Sequence, residues 1–355
     1  MLDSLHRRPR GRRAATVLAH LTGGRVPAPP PPDLEPVRRE GILRALRRNE
    51  APERTAFPRP VTRDLLARLD EGDRASIWER LDHVSRGWWE VTPEAAREHL
   101  PLVFAAHHEV RPVLEKTGLS TAAPPEDVHA MGRGLLAAGG DFWIADMLAA
   151  AATAAGAEFA DGQRVLDFGC SSGRHLRVLQ AWRPGVRWTG CDPNHRAIGW
   201  ASEHLDGIEF FVSPQDPPLA LDDGSLDAAL AVSVWSHFDA KAAERWLEEM
   251  ARLIRPGGVL VFTTQGMGSL AFYVQGGHID EGYAATVAEN LVAGGHAWFP
   301  TFGPEGDWGV KHPGWGMGYL TLEWLAARVL GDWTLEGFEP RRIDANQDLV
   351  ALRRR

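Results

Sequence analysis

From Arg164 onward, short apolar segments alternate with amphipathic ones, and this alternation restricts the possible fold more than any other feature of the 355-residue chain. Strands that are each followed by a helix run parallel, because the helix returns the chain to the same edge of the sheet. The pattern therefore predicts an α/β domain with a parallel sheet covered on both faces. The predicted strands are 164–168, 187–191, 208–212, 227–233 and 258–264, and the predicted helices lie near 172–182, 194–205 and 239–254.

The chain beyond residue 265 has a different composition. Residues 266–318 are rich in glycine and aromatic residues, and we expect a loose segment there. A helix is predicted near 320–330, followed by strands at 333–340 and 347–353. Because only residues 341–345 connect these two strands, they should form an antiparallel hairpin that completes the sheet.

The first 160 residues contain no convincing strand. Residues 1–36 are basic and proline-rich, which is typical of a disordered tail. Residues 37–160 are predicted to be a helical extension that acts as a lid or as a surface for homodimerisation. Residues 161–355 then form the α/β domain, with an acceptor-site insertion at 266–319.

Two helix starts are predicted inside the extension. Thr92-Pro-Glu94 combines a capping residue, a proline for the first helical position and an acid, so we predict a helix over 95–110 that Pro112 ends or kinks. Gly139 and Gly140 precede an apolar stretch, which predicts a second helix over 141–155.

Composition excludes several classes of protein. A net charge of −8 and a pI near 6.0 give no general reason to expect a nucleic-acid partner. Two cysteines, Cys170 and Cys191, are too few for a disulfide framework. No stretch approaches the roughly 18 apolar residues of a membrane-spanning helix. We expect a cytoplasmic protein that binds neither nucleic acid nor membrane.

The most informative motif is Val165–Gly173, with the sequence VLDFGCSSG, which joins the first strand to a helix. Gly169 and Gly173 allow a sharp turn and close approach of a ligand to the backbone. Such a turn alone fits NAD or FAD equally well. Asp192 ends the second strand, where a carboxylate can accept hydrogen bonds from ribose hydroxyls. Asp167 lies two residues before the first glycine, where its charge would repel a pyrophosphate but suits the ammonium group of a methionine moiety.

The motif resembles the first motif of class I S-adenosylmethionine-dependent methyltransferases, Asp/Glu-x-Gly-x-Gly-x-Gly. Asp167, Gly169 and Gly173 match, and Ser171 replaces the middle glycine. Three later segments match in the family's order: 222–238, 246–262 and 346–352. The last resembles a bacterial subgroup associated with glycan and specialised-metabolite pathways. The resemblance implies a Rossmann-like sheet of seven strands, mostly parallel with an antiparallel last strand.

The same resemblance implies a binding site for S-adenosyl-L-methionine. The glycine-rich turn would hold the methionine end, Asp192 the ribose, and Gln215 or its neighbour Asp216 the adenine. Trp235 would either face the cationic sulfonium or pack in the core. The full set of implied cofactor residues is Asp167, Gly169, Cys170, Ser171, Gly173, Asp192, Pro193, Gln215, Asp216, Ser233 and Trp235.

Two histidines are candidates for a general base that removes a proton from a hydroxyl acceptor. His237 follows the fourth strand at its carboxyl end, where it would act as a base or simply bond a backbone carbonyl. His278 is a weaker candidate, because with Asp280 it forms a His-x-Asp pair that fits either a base and its orienting acid or two ligands of a metal. Three well-spaced ligands are not evident, so no catalytic metal is predicted.

Aromatic residues of the insertion are expected to form walls of an acceptor pocket. The predicted pocket residues are Phe142, Trp143, Gln265, Trp298 and Trp315. We expect methylation of an oxygen on a small hydroxylated acceptor, a sugar or a specialised metabolite. C- or N-methylation, a non-catalytic cofactor-binding scaffold and a nicotinamide dehydrogenase are the alternatives.

Overall fold

The computed structural model describes residues 36–50, 58–128, 140–301, 306, 311–343 and 345–355. The predicted tail, apart from Pro36, lies outside this part of the chain. The strands are β1 (Arg164–Phe168), β2 (Arg187–Asp192), β3 (Ile208–Val212), β4 (Leu226–Ala231), β5 (Ile254–Thr264), β6 (His296–Phe299), β7 (Met317–Leu320), β8 (Trp333–Ile343) and β9 (Gln347–Arg354).

The helices alternate with these strands in the second half of the chain and fill the first half. They are α1 (Pro36–Arg48), α2 (Pro60–Leu66), α3 (Glu71–Arg80), α4 (His83–Val91), α5 (Leu100–His107), α6 (Arg111–Thr117), α7 (Phe142–Ala154), α8 (Leu176–Trp182), α9 (His195–His204), α10 (Ala240–Leu253), α11 (Met267–Gln275), α12 (Glu281–Gly294) and α13 (Leu322–Val329).

Seven strands form one sheet in the order β3-β2-β1-β4-β5-β9-β8. The first five are parallel, and β9 runs antiparallel to both of its neighbours. This confirms the predicted α/β fold with seven strands, mostly parallel, and an antiparallel last strand. All seven predicted strands are present, although β5 begins four residues earlier than expected. The carboxyl ends of β1, β2, β4 and β5 meet at one edge, where ligands of open α/β sheets bind.

Helix α10 shows why the alternating segments fold as they do. Asp239 caps its start by accepting a hydrogen bond from the backbone N–H of Ala242 at 2.7 Å. Its apolar side chains recur every three or four residues, so Trp246, Leu247 and Met250 all face the sheet and are buried. Each such side chain contributes roughly 1.5–3 kcal/mol through burial.

One helix start in the extension was predicted wrongly. Thr92 ends α4 instead of beginning a helix, since its hydroxyl donates to the carbonyl of Trp88 at 2.7 Å. A single 3-10 turn, Glu94–Ala96, follows it, and the helix predicted over 95–110 begins only at Leu100, as α5. Pro112 neither ends nor kinks a helix, because it lies in the first turn of α6, where its missing N–H costs nothing. The prediction for 141–155 is confirmed by α7, which Asp141 caps through the N–H of Ile144.

The insertion is more ordered than its composition indicated. Helices α11 and α12 and the antiparallel pair β6–β7 occupy most of it, so the expected loose segment is wrong. Helix α1 packs against this insertion: Arg47 forms a bidentate ion pair with Glu281, and the amide of Gln275 donates to the carbonyl of Leu46 at 3.0 Å. The part of the extension nearest the start of the chain therefore covers the insertion.

The rest of the extension packs on the sheet through α7 and α8. Thr62 on α2 donates two hydrogen bonds to the carboxylate of Asp146 on α7. Arg68 donates to the carbonyls of Ala181 and Trp182 at the end of α8. The extension and the sheet share one buried apolar cluster. Within the described residues, no helix has the length and apolar character that crossing a bilayer requires.

Candidate functional site

The turn after β1 adopts the left-handed backbone conformation three times. Gly169 has a φ of 78°, Ser171 of 51° and Gly173 of 72°. Residues with a Cβ rarely adopt such angles, which explains why glycine is usual at all three places. Ser171 keeps the backbone shape that a glycine would give. Its N–H donates to Asp192 at 2.9 Å, and this bond helps to offset the strain.

Asp167 supplies a buried negative charge beneath this turn. The residue is 0% exposed, and neither carboxylate oxygen has a hydrogen bond among the described residues. His175 Nε2 lies 2.9 Å from one oxygen, which is an ion-pair distance when the imidazole is protonated. The other oxygen, Oδ1, has no partner among the described residues, so the position suits a ligand that brings a cation or N–H donors.

Asp192 connects the end of β2 to the turn. One carboxylate oxygen accepts from the N–H of Ser171, and the other accepts from the N–H of Asn194 at 2.8 Å. Pro193 lies half-buried beside Asp192. Asp192 is thus oriented by the backbone at the edge where the ribose is expected.

The two candidates after β3 differ in their surroundings. Asp216 is held by Arg245 on α10 and by His312, whose Nε2 lies 3.0 Å from its carboxylate. The hydrogen bond to His312 and the nearby Arg245 lower the pKa of Asp216. Gln215 is half-buried. Asp216 therefore joins the insertion to α10, and the assignment of Gln215 to adenine stays a prediction.

His237 lies at the carboxyl end of β4 among residues of the insertion. Its Nδ1 is 3.0 Å from the carbonyl oxygen of Gly316, and its ring stacks on Trp315 with centroids 5.7 Å apart. The indole N–H of Trp298 donates to its backbone carbonyl at 3.2 Å. The structure thus brings three predicted residues, His237, Trp298 and Trp315, into one cluster.

Gln265 belongs to a second polar group at the end of β5. It is 3% exposed, and its Nε2 lies 3.5 Å from the hydroxyl of Tyr273. Asn346 also donates to that hydroxyl, at 2.9 Å. The amide oxygens of Gln265 and Asn346 have no hydrogen bond in the described structure. Buried acceptors without partners indicate a place for a ligand that carries donors.

Three other residues predicted for the site, Phe142, Trp143 and His278, belong neither to the group around His237 nor to that around Gln265. Phe142 is buried at the start of α7 and stacks on His99 of the extension with centroids 6.1 Å apart. Trp143, beside it, is half-buried and packs against the same core cluster. His278 contacts Phe272 in the turn between α11 and α12. Its expected partner Asp280 instead caps α12 by accepting from the N–H of Tyr283.

Trp235 is fully buried and agrees with the packing alternative. Its ring lies against Phe168, Phe262 and Phe238 with centroids 4.6 to 6.0 Å apart. These contacts place it in the aromatic core beneath the sheet edge. Cys170 and Cys191 are also buried, without a disulfide, and burial raises the pKa of both thiols.

Residues 165–258 match the family described as methyltransferase domain. They form a methyltransferase domain. The family match covers the turn, Asp192 and the strands as far as the start of β5. The cofactor of this domain is S-adenosylmethionine.

Individual relatives resemble the same part of the chain. A thiol S-methyltransferase, TMT1B, from Homo sapiens is 32% identical over 120 residues, which are 31% of this chain and 47% of that protein. A fatty-acid O-methyltransferase from Mycolicibacterium smegmatis is 34% identical over 109 residues, 29% of this chain and 37% of that protein. The chain thus spans less than half of the length of these relatives. A solved S-adenosylmethionine-dependent methyltransferase from Methanosarcina mazei is 21% identical, with a TM-score of 0.39, over 55% of this chain and 93% of that one.

The residues of the methyltransferase domain fit the cofactor. Asp167 Oδ1, which has no partner among the described residues, suits the ammonium group, and Asp192 suits the ribose hydroxyls. The left-handed turn between them lets the backbone approach the ligand without a Cβ in the way at Gly169 and Gly173.

Sequence reasoning missed Gln347, the first residue of β9, which connects the loop after β4 to β5. Its amide bonds to the hydroxyl of Ser233 at 2.8 Å and to that of Thr263 at 2.8 Å. The N–H of Ser233, at a φ of 61°, also donates to Thr263 at 2.8 Å. This network fixes the loop after β4 that leads to His237. The predicted hairpin was the one signal that could have placed Gln347 beside β5.

Gly169 gives a direct test of the turn. A Cβ at this position would lie 2.4 Å from Cγ2 of Val234, and the φ of 78° adds strain. We expect Gly169→Ala to lower the free energy of unfolding by about 2–4 kcal/mol and to weaken binding of S-adenosylhomocysteine at least tenfold. Urea denaturation and calorimetry measure the two effects.

Gly199 is the matched control for that substitution. It lies inside α9 with no atom within 4 Å of a built Cβ and without a positive φ. Gly199→Ala should therefore raise the free energy of unfolding by about 0.5–1 kcal/mol and leave ligand binding unchanged. Equal effects of the two alanines would show that the turn is not strained in the way described.

Proposed function

We propose that the protein transfers a methyl group from S-adenosylmethionine to an oxygen of a small hydroxylated acceptor. The cofactor supplies a methyl group already activated on a sulfonium, so the protein must align the acceptor and accept its proton. The observation that carries the proposal is the position of His237, which lies in the turn after β4 and contacts Gly316 and Trp315 of the insertion.

The hydrogen bond to Gly316 determines which nitrogen of His237 can act as the base. A carbonyl oxygen only accepts, so Nδ1 must carry the proton in that bond. In the neutral ring Nε2 is then the basic nitrogen. Stacking on Trp315 fixes the plane of the ring. The backbone and Trp315 thus hold His237 in the tautomer that a general base requires.

The acceptor side combines flat apolar surfaces with buried polar groups. Trp298 and Trp315 are half-buried near His237, and aromatic faces suit a sugar ring or a planar metabolite. The unpaired amide oxygens of Gln265 and Asn346 suit hydroxyl donors on the same molecule. A small acceptor with several hydroxyl groups, a sugar or a specialised metabolite, satisfies both features.

His237→Gln tests this role. We expect the turnover number to fall by about 10²–10⁴-fold, because general-base catalysis contributes that much, while the Kd for S-adenosylhomocysteine changes less than threefold. A screen of hydroxylated small molecules with radiolabelled methyl donor identifies the acceptor, and single turnovers then give the rate.

His204 provides the control, since its ring bonds the carbonyl of Trp200 on α9 and lies on another element. His204→Gln should leave the rate unchanged. Full turnover in His237→Gln would exclude the base role. Transfer only to sulfur, nitrogen or carbon acceptors in the screen would refute oxygen methylation, and tight cofactor binding without transfer to any acceptor would favour a non-catalytic scaffold.

A further inference from the structure

A second group of ligand-type side chains lies in the helical extension, on elements that the site above does not use. Asp82 precedes α4, and His107 and His108 end α5. One ligand atom from each of the three lies within 4.8 Å of the other two. Among the described residues this is the only cluster of three or more such side chains with that spacing.

The distances are close to those of a metal site. Asp82 Oδ1 and His108 Nε2 are 3.9 Å apart, and the two imidazole rings have centroids 4.8 Å apart. Two ligands of a tetrahedral zinc ion are separated by roughly 3.3 Å, since each lies about 2.0–2.2 Å from the metal. Because Asp82 and His107 are exposed, small side-chain rotations can close the difference.

Two of the three side chains are already oriented. Asp82 Oδ1 accepts from the N–H of Ser85 at 2.7 Å, and the buried hydroxyl of Ser85 lies 2.8 Å from His108 Nε2. Outer hydrogen bonds of this kind orient metal ligands.

The local charge also favours a cation. His107 and His108 stand at the carboxyl end of α5, where the helix dipole is negative. Asp82 adds a formal negative charge.

We propose that Asp82, His107 and His108 bind one divalent transition-metal ion of the zinc type. Two imidazoles and one carboxylate are a donor set that zinc, cobalt and nickel share, and water would complete the coordination. The ion would fasten the start of α4 to the end of α5 and so stabilise the extension. This site is independent of methyl transfer.

Calorimetry with zinc chloride on the full chain, chelator-treated and freed of any affinity tag, tests the proposal. We expect one zinc per chain, with a Kd of about 10 µM or tighter, and a thermal midpoint raised by about 2–4 °C at saturation. His107→Ala and Asp82→Asn should each weaken binding at least tenfold. Both should fold, because His107 is exposed and asparagine caps a helix as well as aspartate.

His83→Ala is the matched control, since His83 is exposed at the start of α4 and is not one of the three clustered ligands. It should bind zinc like the unchanged protein. Cobalt should give a visible spectrum without a thiolate charge-transfer band, which distinguishes this site from the buried cysteines. Absence of binding, or equal affinity in His107→Ala, overturns the proposal.

Discussion

Replacing Asp192 with alanine should weaken binding of S-adenosylhomocysteine by at least about 100-fold. Two effects add. The ribose hydroxyls lose a charged acceptor, and such hydrogen bonds contribute about 1.5–3 kcal/mol each. The turn also loses the carboxylate that accepts the N–H of Ser171, which holds a strained φ of 51°. Calorimetry at constant salt measures the change.

A second variant separates the two effects. Asp192→Asn keeps one acceptor oxygen, and its amide group cannot accept the second backbone N–H, so we expect an intermediate loss of about tenfold. Asp206→Asn, at an exposed position after α9, should bind like the unchanged protein. Circular dichroism establishes that each variant is folded.

The nucleotide NAD distinguishes the cofactor class in the same experiment. Asp167 is buried beneath the turn, where its charge opposes a pyrophosphate, so NAD should show no binding at concentrations that saturate S-adenosylhomocysteine. Binding of NAD but not of S-adenosylhomocysteine would refute the assigned cofactor. Unchanged affinity of folded Asp192→Ala for S-adenosylhomocysteine would show that Asp192 does not bind the cofactor.

The sheet could be predicted because its inner strands are buried on both faces and separated by helices with one apolar face. That pattern is a direct consequence of layered packing. The helix start at Thr92 could not be predicted in the same way. Its sequence fits a capping residue, but the hydroxyl bonds backward to Trp88, and only the preceding helix α4 decides between the two.

The insertion was misjudged because its helices lack the usual polar face. Helix α12 buries Ala284, Ala285, Val287 and Ala288 among the residues of the insertion, and α1 covers it from another side. When neighbours enclose a helix, it needs no separate polar face. Its sequence then lacks the apolar–polar periodicity from which a helix is predicted.

The site also contains some residues that a local motif predicts and others that it does not. The turn and Asp192 are adjacent to strand ends, so their position follows from the local motif. Gln347 reaches Ser233 only because β9 pairs antiparallel with β5, and Asp216 meets His312 across 96 residues of sequence. Contacts of this kind depend on how distant segments pack, which no local pattern encodes.

Asp146 should make the protein less stable as the pH rises from 4 to 7.5. Burial raises the pKa of this carboxyl to about 6, although two hydrogen bonds from Thr62 act in the opposite direction. An unfolded aspartate titrates near pH 3.9. The folded protein therefore binds this proton more tightly, and the stabilisation is complete below about pH 4 and is lost as the pH passes through 6.

The expected loss is roughly 3 kcal/mol, since each pKa unit corresponds to about 1.4 kcal/mol. Asp146→Asn mimics the protonated carboxyl and should lack this dependence. The free energy of unfolding of the unchanged protein, minus that of Asp146→Asn, should thus fall by roughly 3 kcal/mol between pH 4 and 7.5. Asp348, whose pKa burial also raises to about 6, titrates in both proteins and cancels from the difference.

Urea denaturation at intervals across this pH range measures the difference, with exposed Asp206→Asn as the control that should stay parallel to the unchanged protein. A flat difference for Asp146→Asn would mean that the carboxyl titrates alike in the folded and unfolded states. Because Thr62 and Asp146 join α2 to α7 inside the extension, the expected result would also show that unfolding of the extension breaks this contact. If the extension unfolded separately from the sheet, the pH dependence would appear only in the transition that breaks this contact.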